Sequence, residues 1–290
     1  MIQSVFKYMP ARLEFFDNFL LRASHKRSLN DPFEVRPSYD FWADLCLSMN
    51  YTRFGETKEE IIGYLQRQKD GSVWSELGMS IYTELGIISF TEEKDNLLMW
   101  SHYADQHRGI VVEFDCIHPF FNSNLGHGKN TSVGKLHRVI YRKSRLNKVN
   151  SHLMEPYFHK SNEWAYEKEH RLLLNLYSAD INLIPLTQYK HYESQKYFDN
   201  TNVEQFTDSL LRVNKYNGAS IVNEASFMPM FEVPRQAIKS ITFGVNICEK
   251  FKQEAISKLN CETLQHISLY QAKIDQHDYK LLFGKEISQK

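Results

Sequence analysis

The densest chemistry in the chain lies in EWAYEKEHRLLL (residues 163–174), where two carboxylates and a guanidinium recur at every second position. On a strand, Glu167, Glu169 and Arg171 share one face, while Tyr166, Lys168, His170 and Leu172 take the other. Two readings are open. The charges line a solvated strand edge with a salt bridge across it. Alternatively they floor a pocket, where one carboxylate orients a ligand hydroxyl or acts as a base and Arg171 fixes that carboxylate. A second concentration is LLMWSHYADQH (residues 97–107), which sets Trp100, His102 and Tyr103 close together. These side chains either pack into the core or wall a cleft for a planar ligand such as a nucleobase. A third is SLNDPFE (residues 28–34), a rigid turn with Asn30, Asp31 and Glu34 that fits Asx-turn and capping chemistry. Lys7, in FKY, is an isolated charge between two aromatic residues on a short strand.

The elements that must position these groups follow from apolar periodicity. SVFKYMP, GIISF, GIVVEFD, HRVIYRK, YEKEHRLLLNLY and INLIPL read as strands. RLEFFDNFLLRAS, residues 38 to 50 and residues 56 to 85 read as helical, with TKEE a helix start. Thr91 is an expected N-cap for the helix that bears Trp100, with Glu92 and Glu93 in its first turn, where the helix dipole favours them. Residues 119 to 136, rich in Gly, Asn and Ser, read as a surface loop. NKVNSHLMEPYFHKSNEW reads as a helix broken near Pro156, and residues 190 to 217 as a second helical segment. AIKSITFGV, EKFKQEAISKLN, TLQHISLYQA and YKLLF close the chain as β-α-β-β. The expectation is one α+β domain over 1–290, a central mixed or antiparallel sheet with flanking helices and a helical insertion near 36–85.

Composition narrows the function classes. Lys and Arg total 35 and Asp and Glu total 35, so no overall positive excess favours nonspecific nucleic-acid binding. The four cysteines are scattered with no metal-ligand spacing, so no metal is expected. Scattered thiols fit a reducing compartment, and Arg12, Glu14 and Asp17 interrupt the N-terminal apolar run that a signal peptide needs. A soluble cytoplasmic protein without a membrane partner is expected. Phosphate-loop, dinucleotide-fingerprint, serine-hydrolase and zinc-protease motifs are all missing from the sequence.

FKY at 6–8, LNDPFE at 29–34, ISFTEEKDNLLMWSHYADQHRGIVVEFD at 88–115 and KSNEWAYEKEHRLLL at 160–174 together resemble a bacterial family, domain of unknown function 2971. AIKSITFGV and LYQAKID near the end fit the same resemblance. More distantly, this layout is similar to ADP-ribosyltransferase-fold toxins, which implies a split sheet. That resemblance implies NAD as substrate, with Lys7 and Tyr8 on the first strand and Ser89 and Thr91 on the second. Asn30 and Asp31 join them on the rim, Trp100, His102 and Tyr103 form an aromatic wall, and Glu167 or Glu169 is the late catalytic acid, held by Arg171. It implies an ADP-ribosyltransferase or NAD glycohydrolase acting as a toxin or phage-defence effector, on a nucleic-acid or protein acceptor. The sequence departs from the pattern in lacking a first-strand Arg or His and a Ser-Thr-Ser triplet. Two other functions fit the same segments. One is a noncatalytic domain that senses a nucleotide or a phage component. The other is a nucleic-acid processing protein that contacts phosphate through Arg108, Arg138, Arg142, Lys143 and Arg145.

Overall fold

A computed structural model describes residues 2–68, 84–122, 134–150, 153–194 and 198–285. Its strands, in chain order, are β1 Ser4–Met9, β2 Leu20–Arg22, β3 Ser24–His25, β4 Leu85–Thr91, β5 Ile110–Asp115, β6 Leu136–Arg138, β7 Ile140–Arg142, β8 His159–Ser161, β9 Glu169–Asn175, β10 Ile181–Pro185, β11 Val203–Thr207, β12 Leu210–Val213, β13 Met228–Glu232, β14 Ile238–Phe243, β15 Ser268–Ile274 and β16 Leu281–Lys285. The main sheet runs β16-β15-β14-β5-β1-β4-β9-β6, with β3 paired to β4. A second sheet runs β11-β12-β10-β13-β2, and β7 pairs with β8. The fold is α+β, as the alternation of apolar runs implies, and its main sheet is mixed, β14 and β15 being parallel.

Two features of the main sheet shape the site. The first is β9, whose seven residues are all buried; flanked by β4 and β6, it lies inside the sheet and not at a solvated edge. Leu172 and Leu174 face the larger apolar core with Ile88 and Phe90 of β4. Leu173 faces the opposite core, with Ile87 and the helical segment around Phe41 and Trp42. Arg171 and Glu169 share the Leu173 face by strand alternation. The second is the junction of β1 and β4. Six register pairs tie β1 to β5, whereas Phe6↔Thr91 alone ties β1 to β4. The sheet therefore parts between β1 and β4, and a side chain bridges the gap: Lys7 Nζ donates to Ser89 O at 2.9 Å.

Several local expectations change. RLEFFDNFLLRAS forms only the short helix Phe15–Asn18, because Phe19 turns left-handed (φ 50°) and the chain enters β2. Its apolar residues Phe15, Phe16, Phe19, Leu20 and Leu21 are all buried although they do not form one helical face. Thr91 ends β4 and caps nothing: its hydroxyl accepts from Glu93 N at 3.2 Å, and Asn96 is the N-cap of the helix Leu97–Tyr103. Glu92 instead pairs with His170, and Glu93 with Lys168. The expected helix over NKVNSHLMEPYFHKSNEW is two 3-10 turns, Glu155–Phe158 and Asn162–Glu167, on either side of β8. The expected helical segment 190–217 holds the hairpin β11–β12 between the short helices Tyr189–Glu193 and Lys215–Ser220. Helices Tyr39–Ser48 and Lys58–Gln66 occupy part of the expected insertion, the second begun by a Thr57/Glu60 capping box. The expected helix over 69–83 and the expected loop over 123–133 lie outside the described residues.

Candidate active site

The parted strands open a cleft of about 300 Å³, flanked by Lys7 and Tyr8 of β1 and Ser89 and Thr91 of β4. Glu167 and Glu169 lie at its floor, and Asn30 and Tyr103 lie at its side. The strand alternation that groups Glu167 with Glu169 holds only in part. β9 begins at Glu169, and Glu167 closes the preceding 3-10 turn. Lys168 between them is left-handed (φ 43°), which sends its own side chain out to Glu93 and leaves both carboxylates turned inward.

A buried charge is tolerable only when paired and hydrogen-bonded. Here one lysine and one arginine serve three carboxylates. Lys160, from β8, places Nζ 2.5 Å from Glu167 Oε2, 2.9 Å from Glu34 Oε1 and 3.3 Å from Glu169 Oε2. Arg171 is 0 % exposed; it donates through Nε to Glu169 Oε1 (2.8 Å) and through Nη2 to Glu169 Oε2 (2.9 Å) and Glu34 Oε1 (2.7 Å). Its Nη1 donates to Tyr157 O at 2.7 Å, which fixes the guanidinium plane.

The two floor carboxylates differ. Glu169 receives Arg171 twice, Lys160 once and the Ser89 hydroxyl, filling the roughly four acceptor positions of a carboxylate. Burial would raise its pKa, but Arg171 and then Lys160 overcome that and hold it at about 2. Glu167 receives only the Tyr103 hydroxyl and Lys160, each at 2.5 Å, and keeps acceptor positions open. Burial raises its pKa, and Lys160 and the Tyr103 hydrogen bond only partly offset the rise. Burial also draws Lys7 down to about 8, with Glu169 pulling the other way. Burial and the Glu167 contact push the Tyr103 phenol up, so it stays a donor to that carboxylate.

Among the expected site residues, Glu167, Glu169, Lys7, Tyr8, Asn30, Ser89, Thr91 and Tyr103 meet around one cleft. Tyr8 spends its hydroxyl on Glu93 O (3.0 Å), and Asn30 donates to the Tyr103 hydroxyl (3.1 Å). Arg171 lies beneath the floor and holds it. Trp100 is not part of the wall: it is wholly buried, donates Nε1 to Lys94 O and packs edge-on to Tyr8 and parallel to His107. His102 is exposed, its ring edge-on to Tyr103, and it does not line the cleft. Asp31 closes an Asx turn onto Phe33 N (2.8 Å) and does not line the cleft. Of the expected wall of Trp100, His102 and Tyr103, Tyr103 alone lines the cleft, where Phe6, Tyr8 and Phe90 supply the other aromatic surface. Sequence reasoning missed Lys160 and gave Glu34 only a turn role. The one available signal was charge balance, since two buried carboxylates with one arginine call for another cation.

A larger chamber of about 1000 Å³ adjoins the cleft; Lys7, Tyr8, Arg22, Ser24 and Tyr103 line both. Arg12 joins Arg22 there. Arg22 donates through Nη2 to Ala225 O and Phe227 O, but its buried Nε has no partner. Burial, and then the neighbouring Arg12 charge, lower the Arg22 pKa, as expected where positive charge awaits an anion.

Fold and site thus define an α+β protein with a parted sheet over a charge-lined cleft. A family model described as "Protein of unknown function (DUF2971)" matches residues 99–172, about a quarter of the chain. The matched stretch, which supports the resemblance to that family, contains Tyr103, Lys160, Glu167, Glu169 and Arg171, whereas Lys7, Glu34 and Ser89 lie outside it. No curated protein and no solved structure matches the chain. Among the described residues, no helix is long and apolar enough to cross a membrane.

Proposed function

We propose that the cleft binds NAD and cleaves its bond between nicotinamide and ribose, passing ADP-ribose to water or to an acceptor hydroxyl. One observation carries this reading: two carboxylates two residues apart, on the floor of one cleft, are held differently, Glu169 with its acceptor positions filled by Arg171, Lys160 and Ser89 and Glu167 with positions left open. Such a divergence separates a fixed charge from a proton-transfer group. Breaking the glycosidic bond leaves its electron pair on nicotinamide and positive charge on the ribose. Glu169, kept anionic by Arg171 and Lys160, is suited to face that charge, because its position costs no reorganisation during the reaction. Glu167, with open acceptor positions and raised proton affinity, is suited to take the proton of the attacking hydroxyl.

The size and charge of the cleft favour a dinucleotide. The cleft of about 300 Å³ suits a nicotinamide riboside, with aromatic rings of Tyr103 and Phe6 for the planar base. Two cations, Lys7 and Arg22, stand where the chambers meet, the place a diphosphate would occupy between two nucleosides. The unpartnered Arg22 Nε is a donor waiting for such an acceptor. The parting of β1 from β4 also agrees with the split sheet that the ADP-ribosyltransferase resemblance implies.

The test is nicotinamide release from NAD, followed chromatographically, alongside NAD binding by calorimetry. Glu169→Gln is expected to abolish release. Glu167→Gln is expected to retain binding while losing transfer. Binding without release in the intact protein would replace this reading with a nucleotide sensor, and neither binding nor release would end it.

A further inference from the structure

On the other side of the turn that carries Glu34 lies a second cleft, of about 360 Å³, with a different character. Arg36, Arg142, Lys143 and Arg145 line it against a single acidic residue, Glu163; Lys160 also borders it, but its ammonium is spent on the carboxylate floor. In a chain whose formal charges cancel, this is a local concentration of positive charge. Among the described residues, no carboxylate stands within ion-pair distance of Arg142, Lys143 or Arg145. The Arg145 guanidinium instead lies over the ring of Phe33, 5.0 Å from its centre. Phe33 is 56 % exposed, although its neighbours Glu34 and Val35 are buried. The Asx turn of Asp31 holds the ring out: Phe33 N donates to Asp31 Oδ1, so the backbone at this point is fixed by its own side-chain chemistry.

Positive groups that track phosphates, together with an exposed ring backed by a guanidinium, are what an unpaired nucleic-acid strand requires. Phosphate neutralisation supplies affinity, and stacking on an aromatic face supplies the contact that any base can make. An acidic peptide would use the cations but leave the ring idle. Duplex would keep its bases stacked on one another and out of reach of Phe33. We propose that this cleft binds single-stranded nucleic acid through Arg142, Lys143 and Arg145, with a base stacked on Phe33. Lys160 lines both clefts, and the turn between them presents Glu34 to the first and Phe33 to the second, so a strand held here lies beside the carboxylate floor. Its role as the acceptor of ADP-ribose rests on the function proposed above; its binding does not.

The experiment is fluorescence anisotropy of the full chain with labelled single-stranded DNA and RNA of about 12 nucleotides, within the usual range for such sites. A duplex of the same length and poly-glutamate serve as competitors. Binding is expected to weaken with salt with a log–log slope of about −2, as for three phosphate contacts on a single strand. Phe33→Ala is expected to weaken binding about tenfold without changing that slope. Arg145→Ala is expected to reduce the slope by about 0.7. Nicotinamide release into water should be unchanged in both variants, which separates this cleft from the first one. Single-strand binding in a protein that leaves NAD untouched would uphold this proposal and remove the other. Absence of single-strand binding at low salt, equal binding of duplex, displacement by poly-glutamate with equal potency, or indifference to Phe33→Ala would each overturn it.

Discussion

Lys160→Met is the sharpest perturbation of the site. In the folded protein three carboxylates, Glu34, Glu167 and Glu169, face two cations, Lys160 and Arg171, leaving one net negative charge. Methionine keeps the length of the stem but removes the ammonium, leaving two uncompensated negative charges in a buried place. Removing one partner from a buried pair costs about 3–5 kcal/mol, because the other charge stays desolvated. With an unfolding entropy of about 2.1 cal/mol/K per residue, that loss lowers Tm by roughly 5–8 °C for a chain of this length. The sign with pH follows from Glu167. Its proton affinity is already raised by burial, and loss of Lys160 raises it further. The folded variant then binds more protons than the unfolded chain, so its stability falls as pH rises through the Glu167 pKa. Urea titrations at pH 5 and pH 8 should therefore show the larger penalty at pH 8. Adding Glu167→Gln returns the cluster to one net negative charge and should recover at least half of the loss. A penalty below about 1 kcal/mol, or no recovery in the double variant, would refute the account of this cluster as a balanced charge network.

Three further outcomes rest on the same geometry. Glu169 contributes stability above its ordinary value of 4.5, and that contribution is lost as pH falls toward about 2; acid titration should show this limb in the wild type and lose it in Glu169→Gln. Lys7 titrates near 8 instead of 10.5, so at pH about 8 an amine-acylating reagent should label it ahead of ordinary surface lysines, as read by peptide mass mapping, with NAD shielding it. Gly109→Ala would place a Cβ 2.2 Å from Met9 O, a backbone atom that cannot turn aside; a loss of about 2–3 kcal/mol is expected in thermal or urea melts.

The strands that build the site were legible because each buries a regular apolar pattern. β1, β4, β5 and β9 fall where alternation and compact apolar runs place them. The hairpin β11–β12 was not, because its strands are short, β11 buries no residue fully and β12 buries only Leu211 and Val213. The aromatic helix illustrates a different limit. Trp100 and Tyr103 are three residues apart, close enough on a helix for either to reach the cleft. The turn after the helix separates them. Asp105, Gln106 and His107 are all left-handed (φ 45°, 54° and 66°), and this run brings the His107 ring back parallel to Trp100. Left-handed backbone at three successive non-glycine residues is costly, so spacing and propensity do not anticipate it.

Lys168 makes the same point at the floor of the cleft. Period-two reasoning set Glu167 and Glu169 on one face, and they do converge, but for another reason. A regular strand would extend β9 back through Glu167 as one more ladder residue. The left-handed residue between them breaks the ladder and places Glu169 in the sheet against Arg171 and Ser89. It leaves Glu167 on a 3-10 turn, under the Tyr103 hydroxyl and at the cleft. The difference in proton affinity on which the proposed chemistry depends is thus made by one backbone conformation. Glycine at this position would relieve the steric cost of φ 43° while preserving the turn. Proline, locked near φ of about −65°, would force Glu167 back toward the strand and is expected to abolish the proposed release of nicotinamide, read chromatographically.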